Sequence, residues 1–359
     1  MVSAATLSFM PPWLRVIYPY LPEVSAVGVI VNLMHISVLT RKEMRNSSTN
    51  VIMLWIAISD LLYTSVPVVD GIVEEVDSWR TCYIPDSYAY CFFSWVYSTI
   101  RDDAKRSAIF LGLSMAMIRV IVIRNPMSNS VDLTSAKTGW RTSFVALLFS
   151  SVISVFYFFR YTCLYMGVWT PNRRGCNESD FPVNYSMTIY INTNSESDFV
   201  RAYDSLYIRA YLFLDGIITQ ILPAVLFPIA TFLLIHELRK ASKNRDRMFS
   251  DKKKDKSTLQ TRLVTYMTTS FMSVGIPMGV CHVWQSTCAT NDCSFEAANW
   301  MYFFDLLIPV NTITHFFICM LVSTQYQATV KGMLRIGEKD STSSNTVSAA
   351  SGRRSPRTN

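Results

Sequence analysis

Residues 92–123 read FFSWVYSTIRDDAKRSAIFLGLSMAMIRVIVI, an apolar run that carries Arg101-Asp102-Asp103-Ala104-Lys105-Arg106 in its interior and Arg119 near its end. Without the block, the run is long enough to cross a bilayer as a helix. With it, five charges sit where each costs about 2.5–3.5 kcal/mol on insertion, so they need partners. Helical spacing offers some within the run: Asp102 with Arg106 at i,i+4, and Asp103 with Arg106 or Asp102 with Lys105 at i,i+3. At about 100° per residue the block covers more than half of the helix circumference, so only a helix surrounded by other helices can carry it. At about 1.5 Å rise per residue it lies about 20–27 Å outward from Arg119, where a cavity open to the outside would be. A salt-bridge cluster that merely holds helices together is the other reading, and the two are compatible.

The rest of the chain supplies the companions. Half of the 359 residues are hydrophobic and 16% are charged, against about 25% charged in soluble domains. Six clear apolar runs lie near 23–40, 50–73, 141–162, 208–235, 262–284 and 300–322, and 92–123 makes the seventh. The expected architecture is an all-α membrane protein, a seven-transmembrane helix bundle over 23–336. An extracellular N-terminus over 1–22 precedes it and a disordered cytoplasmic tail over 337–359 follows. Pro223, Pro228 and Pro277 are candidate kinks.

Orientation follows from the basic residues. With the N-terminus outside, the inner segments hold Arg41, Lys42, Arg45, Arg124, Lys137 and Arg141, ten basic residues from Arg239 to Arg262 and six from Lys331 to Arg357. The outer segments hold Arg15, Arg80, Arg160, Arg173, Arg174, Arg201 and Arg209. The same topology puts the sequons at Asn177 and Asn184 on the outside, while Asn46-Ser-Ser48 falls inside as a chance match. A multi-pass plasma-membrane protein with a cytoplasmic C-terminus is expected. No cleavable signal peptide is evident, and the first span would itself direct insertion.

Cys82, Cys91, Cys176, Cys288 and Cys293 read as outside and oxidisable, and Cys163, Cys281 and Cys319 as packing residues in or near spans. Cys91 with Cys176 is the favoured bridge. Cys82 pairing with Cys91 is the alternative, since spacing does not fix connectivity. Cys288 with Cys293 closes a local loop. A zinc site from Cys281, His282, Cys288 and Cys293 fits no usual spacing, and neither metal nor cofactor is expected.

Polar residues within spans are costly and either pair or function. Asn32, Asp60, Asn311 and His315 form this set, with Asp60 facing the bundle and Asn32 and Asn311 as natural hydrogen-bond partners in a central polar layer. A satisfied network that only fixes helix register is the competing reading. After the seventh span, Tyr326, Val330, Met333 and Leu334 repeat at helical spacing opposite Gln325, Gln327, Lys331 and Arg335, which predicts a short amphipathic helix on the membrane ending near Gly337. The Ser/Thr-rich tail beyond it suits phosphorylation.

These residues resemble a rhodopsin-like G-protein-coupled receptor, and more closely the serpentine receptor class w branch described from nematodes, over about 25–335. The resemblance rests on Asn32, Leu54 to Asp60, Met115-Ala116-Met117-Ile118-Arg119 with Pro126, Pro223 and Pro277. Above all it rests on Asn311-Thr-Ile-Thr-His315-Phe-Phe-Ile-Cys319 followed by Ser323-Thr-Gln-Tyr326. It implies that Arg119, Pro126 and Tyr326 serve G-protein coupling and that Asp60 and Asn311 form an activation-coupled core. It also implies a ligand like a short amidated neuropeptide, with arrestin and a receptor kinase as tail partners. Departures are Ile118 where an acid usually precedes the arginine, Gly275 where an aromatic is usual, His315 to Cys319 in place of Asn-Pro-x-x-Tyr, and Trp140 at the cytosolic end of its span. Arg101 stands about where amine receptors carry an acid.

The outer face holds thirteen acids against those seven basic residues, which would steer a cationic partner inward. The expected ligand is a short peptide ending in a basic-aromatic amide. Arg101, Asp102, Lys105, Asp215 and Asp305 are its polar contacts, Asp305 or Asp215 the counter-ion, and Trp300, Tyr302 and Phe303 the apolar wall. Pairing of Asp305 with Arg106 or Lys105 is the alternative. A small environmental molecule is the alternative ligand. An enzyme is disfavoured because His35, His236, His282 and His315 stand isolated in sequence with no glycine-rich loop. A transporter or channel is disfavoured because no internal repeat is seen. Nothing points to nucleic acid.

Overall fold

The computed structural model describes residues 10–82, 84–124, 130–159, 162–171, 176–193, 206–246 and 256–334. Pro126 and the tail over 337–359 lie outside these residues. The chain enters through α1 (Pro12–Ile17), where Pro12 occupies a first-turn position that needs no N–H. A 3-10 turn (Tyr18–Tyr20) joins it to α2 (Leu21–Leu39). Then α3 (Ser48–Ser78) opens on Ser47, whose hydroxyl accepts from the Asn50 N–H at 3.3 Å and satisfies one of the donors a helix start leaves orphaned. The long α4 (Tyr88–Arg124), the short α5 (Ser130–Thr134) and α6 (Ala136–Phe158) follow. Next come α7 (Leu206–Asp215), a π-helical turn (Gly216–Ile221), α8 (Leu222–Asp246), α9 (Lys256–Thr287) and α10 (Asn291–Val322). A last helix, α11, covers 324–334.

Six of these stretches are long and apolar enough to cross a membrane: Pro12–Leu39, Ser48–Ser78, Tyr88–Arg124, Ala136–Phe156, Leu206–Glu237 and Asp292–Val322. The seventh long helix of the bundle, α9, is 32 residues long but more polar. It packs against α10, α8, the π turn, α7 and α4. The chain is a multi-pass, all-α bundle decorated by one hairpin. Several helices run past the apolar runs seen in sequence, because a helix needs no apolar residues once its end leaves hydrocarbon. α10 begins at Asn291 rather than near 300, with the Thr290 hydroxyl accepting from the Cys293 N–H.

The charged block is helical throughout and lies within α4. That helix packs on α3, α6, α8 and α9, while α10 closes back onto α2. Helices of the ring turn apolar side chains outward, as at Phe144 and Phe232, which are 66% and 69% exposed. Such an inverted surface suits lipid rather than water. With no water to expel between helices in lipid, close approach supplies the packing. At Gly279 an added Cβ would stand 2.6 Å from Gln220 Cβ and 3.2 Å from Gly216 O, so α9 lies directly on the π turn.

The segment after α6 is a two-stranded antiparallel sheet, β1 (Thr162–Trp169) with β2 (Met187–Thr193), in register from Thr162↔Thr193 to Trp169↔Met187 and bulged between Tyr165 and Gly167. The apolar run predicts a fourth span reaching 162, with Cys163 as a packing residue. The helix stops at Phe158, so Cys163 opens β1 and bonds to Cys91 in the first turn of α4. Cys176, on the turn side of the hairpin, bonds to Cys82. The favoured Cys91 to Cys176 bridge is thus corrected: the hairpin brings Cys163, not Cys176, over the top of α4. Cys288 bonds to Cys293 across the α9–α10 turn, and Cys281 and Cys319 are free and buried. Asn177 and Asn184 both lie exposed between the strands, Asn184 with φ of 63°, a left-handed conformation that Asn tolerates.

Candidate functional site

The bundle interior carries polar groups in three tiers. In the outer tier, Asp305 of α10 lies between two cations of α4, Arg101 Nη2 at 3.4 Å and Lys105 Nζ at 3.6 Å. Tyr63 of α3 completes the cluster: its hydroxyl donates to Asp305 Oδ1 at 3.3 Å and accepts from Arg101 Nη2 at 3.1 Å, and the guanidinium lies 4.9 Å from its ring centroid. On the other side of α4, Arg106 pairs with Asp215 at 3.5 Å and donates to Tyr211 Oη at 3.1 Å and Ser154 Oγ at 2.7 Å. His282 Nδ1 stands 3.7 Å from the same Asp215.

Asp103 accepts from Ser150 Oγ at 2.5 Å, Ser154 Oγ at 2.9 Å and Ser151 Oγ at 3.1 Å, all on α6. Arg101 and Lys105 thus reach α10, Arg106 reaches α7 and α6, and Asp103 reaches α6, so these charges find partners across helices where spacing suggested partners within α4. The reason is geometric: successive residues turn by about 100°, so a central helix addresses the whole ring. Asp102 is half-buried at the same level.

Asp305 and Asp215 already face cations, with Asp305 held by Lys105 and by Arg101 rather than Arg106. The apolar wall is also in use, for Trp13 of α1 packs on Trp300 and Phe303 at 5.7 and 5.6 Å between centroids, and Tyr18 on Tyr302 at 5.5 Å. Outside the membrane, burial pushes the Asp86 carboxyl up, with Asp77 adding to it, just where the Asp86 carbonyl accepts from the Tyr190 N–H and ties the hairpin down at 3.1 Å.

In the middle tier, Asp60 Oδ2 lies 2.7 Å from His315 Nδ1, with both residues buried. The expected Asn32 to Asn311 hydrogen bond is not the one formed. Asn32 Nδ2 donates to Gly28 O at 2.9 Å and to Thr312 Oγ1 at 3.4 Å, while Asn311 Oδ1 accepts from Ser270 of α9. One residue of rotation along α10 exchanges the two faces. A small cavity of about 40 Å³ joins this tier to the outer one, lined by Asp60, Lys105, Gln220, Asn311 and Thr312 among others, which is room for about one water.

In the third tier, Arg119 is buried and donates to the Thr49 hydroxyl at the start of α3. Tyr326 of α11 is fully buried, its hydroxyl 2.8 Å from His35 Nδ1, and Val330 and Met333 join it against the core. The histidines that stand apart in sequence are therefore not isolated in space. His35, His282 and His315 each sit in a polar contact between helices. Tyr63, Thr49, Tyr211, Ser270 and the α6 serines were missed. The serines alone left a trace, since Ser150, Ser151 and Ser154 share a face at helical spacing.

Among the described residues no group of three or more His, Cys, Asp or Glu is placed to hold a metal ion. What remains is a bundle in which a charged cluster at one end, a buried acid-imidazole pair and a buried arginine at the other end lie on the same few helices. The family whose profile matches, over residues 20–337, is described as "Serpentine type 7TM GPCR chemoreceptor Srw". The chain is also similar to G-protein coupled receptor dmsr-1 of Caenorhabditis elegans, at 22% identity over 226 residues. The match covers 63% of this chain and 43% of that protein, so the chain spans less than half the length of this relative. With a profile match over most of its length and a helix bundle to fit it, this chain belongs to the Srw family of serpentine seven-transmembrane G-protein-coupled chemoreceptors.

Proposed function

We propose that this receptor sits in the plasma membrane with its N-terminus outside, binds a short amidated peptide in the outer tier and activates a heterotrimeric G protein through the end that carries Arg119 and Tyr326. The observation that carries the ligand reading is the Arg101–Asp305–Lys105 cluster, whose side chains are 21%, 22% and 14% exposed, so buried charge is still within reach of a ligand. A C-terminal amide carbonyl accepts from Arg101 and Lys105 as they loosen from Asp305. A basic side chain of the peptide is drawn in by the outer acids, among them Glu74, Glu75, Asp77 and Asp86, and settles near Asp102. Asn177 and Asn184 carry glycans, and the Ser/Thr-rich tail receives a receptor kinase and arrestin.

A second reading, a small environmental molecule as ligand, has support in the narrow cavity beneath the cluster and in the chemoreceptor description of the family. Membranes from cells expressing the chain, assayed for nucleotide exchange on added G proteins against amidated and free-acid forms of a peptide panel, separate the readings. The peptide reading predicts activation by amidated forms and loss of potency in Arg101→Gln. If no peptide activates a receptor that reaches the surface, and small molecules do, the peptide reading is wrong.

A further inference from the structure

A second cavity lies outside the bundle interior. It is a groove of about 390 Å³ between α4 and α6, lined by Phe110 and Ser114 on one side and by Arg141, Thr142, Val145 and Phe149 on the other, among others. Its volume is within the range of small-molecule sites. Two clamps on α6 account for it. Near its start, α6 is pressed onto α3 at Gly139, where an added Cβ would stand 2.8 Å from Ser48 O and from Val51 Cβ. In its second half it is held to α4 by Asp103 and the three serines. Between the clamps the helices part, and Phe110 meets Phe149 at 5.1 Å between centroids in an edge-to-face contact.

The groove faces lipid, since Phe144, Val145, Leu148 and Phe149 beside it are all exposed and apolar. Its polar end is Arg141. That side chain is exposed and, among the described residues, pairs with no carboxylate. One position earlier, Trp140 is partly exposed and packs edge-on against Trp55 at 5.6 Å. A tryptophan so placed marks the boundary between hydrocarbon and headgroups, so Arg141 reaches headgroup depth from there.

We infer that this groove is a binding site for an anionic glycerophospholipid of the surrounding bilayer. An acyl chain lies along Val145 towards Phe110 and Phe149, the Ser114 and Thr142 hydroxyls donate to ester or phosphate oxygens, and the headgroup anion pairs with Arg141. The choice of an anionic lipid rests on charge. In the orientation proposed above, this end of α6 lies in the cytoplasmic leaflet, which carries such lipids. The lipid contacts themselves do not depend on what the receptor binds outside.

The test uses the full-length protein, delipidated in detergent and titrated with phosphatidylserine or phosphatidylcholine, with retained lipid counted by native mass spectrometry. Wild type retains one phosphatidylserine at concentrations where phosphatidylcholine is lost. Arg141→Gln weakens that retention about fivefold, the worth of one basic residue at an anionic surface. Val145→Trp fills the groove without touching the charge and also weakens it, which keeps the test intact should Arg141→Gln fold poorly. Lys137→Gln, at the same end of α6 but outside the groove, leaves it unchanged. Equal retention of the two lipids, an unchanged Val145→Trp, or a loss in Lys137→Gln as large as in Arg141→Gln overturns the site. None of these outcomes bears on the external ligand.

Discussion

Asp60 on α3 and His315 on α10 meet at 2.7 Å between Oδ2 and Nδ1, with 5% and 1% of the two side chains exposed. His315 takes the position nearest the carboxylate, so Asp60 is answered by an imidazole from the facing helix. Phe271 of α9 packs on the same ring at 4.7 Å between centroids. The pair therefore links three helices at mid-bundle.

Removing one member strands the other. His315→Phe leaves a buried carboxylate without its partner, and loss of one member of a buried pair costs about 3–5 kcal/mol. The melting temperature of the purified receptor should fall sharply in His315→Phe and in Asp60→Leu, while the double variant should recover much of the loss. Losses in the double variant that equal the sum of the singles would show that the two side chains do not act as a pair.

Asp305 holds two cations, so its removal should hurt more than removal of either cation. Asp305→Asn leaves Arg101 and Lys105 facing each other without an anion, whereas Lys105→Met leaves Arg101 and Asp305 still paired. Surface expression and thermal stability should rank wild type, then Lys105→Met, then Asp305→Asn. The reverse order would mean that Asp305 has no structural task and is available to a ligand cation.

Disulfide connectivity can be read directly. Non-reducing proteolysis and mass spectrometry should find Cys82 linked to Cys176, Cys91 to Cys163 and Cys288 to Cys293. A peptide joining Cys91 to Cys176 would contradict the hairpin placement. Cys163→Ser should loosen the hairpin from α4 and expose the segment before β2 to protease.

Arg119 has no acidic neighbour in sequence and is restrained by the Thr49 hydroxyl. Thr49→Val removes that acceptor at similar volume. A hydrogen bond to a charged group is worth about 1.5–3 kcal/mol, so ligand-independent nucleotide exchange on an added G protein should rise by about tenfold or more. Basal exchange equal to wild type, with normal expression, would remove Thr49 from resting-state control.

Much of the architecture was legible along the chain. Apolar length marked the spans, and the spacing of Tyr326, Val330 and Met333 announced the last helix. The block at 101–106 demanded a surrounded helix, and α4 is surrounded. Those readings succeed because the cost of placing a residue in hydrocarbon is nearly a property of that residue and adds up along a segment.

Partners were another matter. Whether Asp103 answers Arg106 or three serines, whether Asn32 meets Asn311 or Thr312, and whether Cys91 finds Cys176 or Cys163 depend on how far each helix is rotated and where it stops. A shift of one residue turns a side chain by about 100°, and an ending four residues earlier moves a cysteine out of the membrane. Sequence alone determined that this chain crosses the bilayer as helices with a charged centre. Only the tertiary structure decided which groups neutralise that centre, because the choice is made by distances between helices that no single helix encodes.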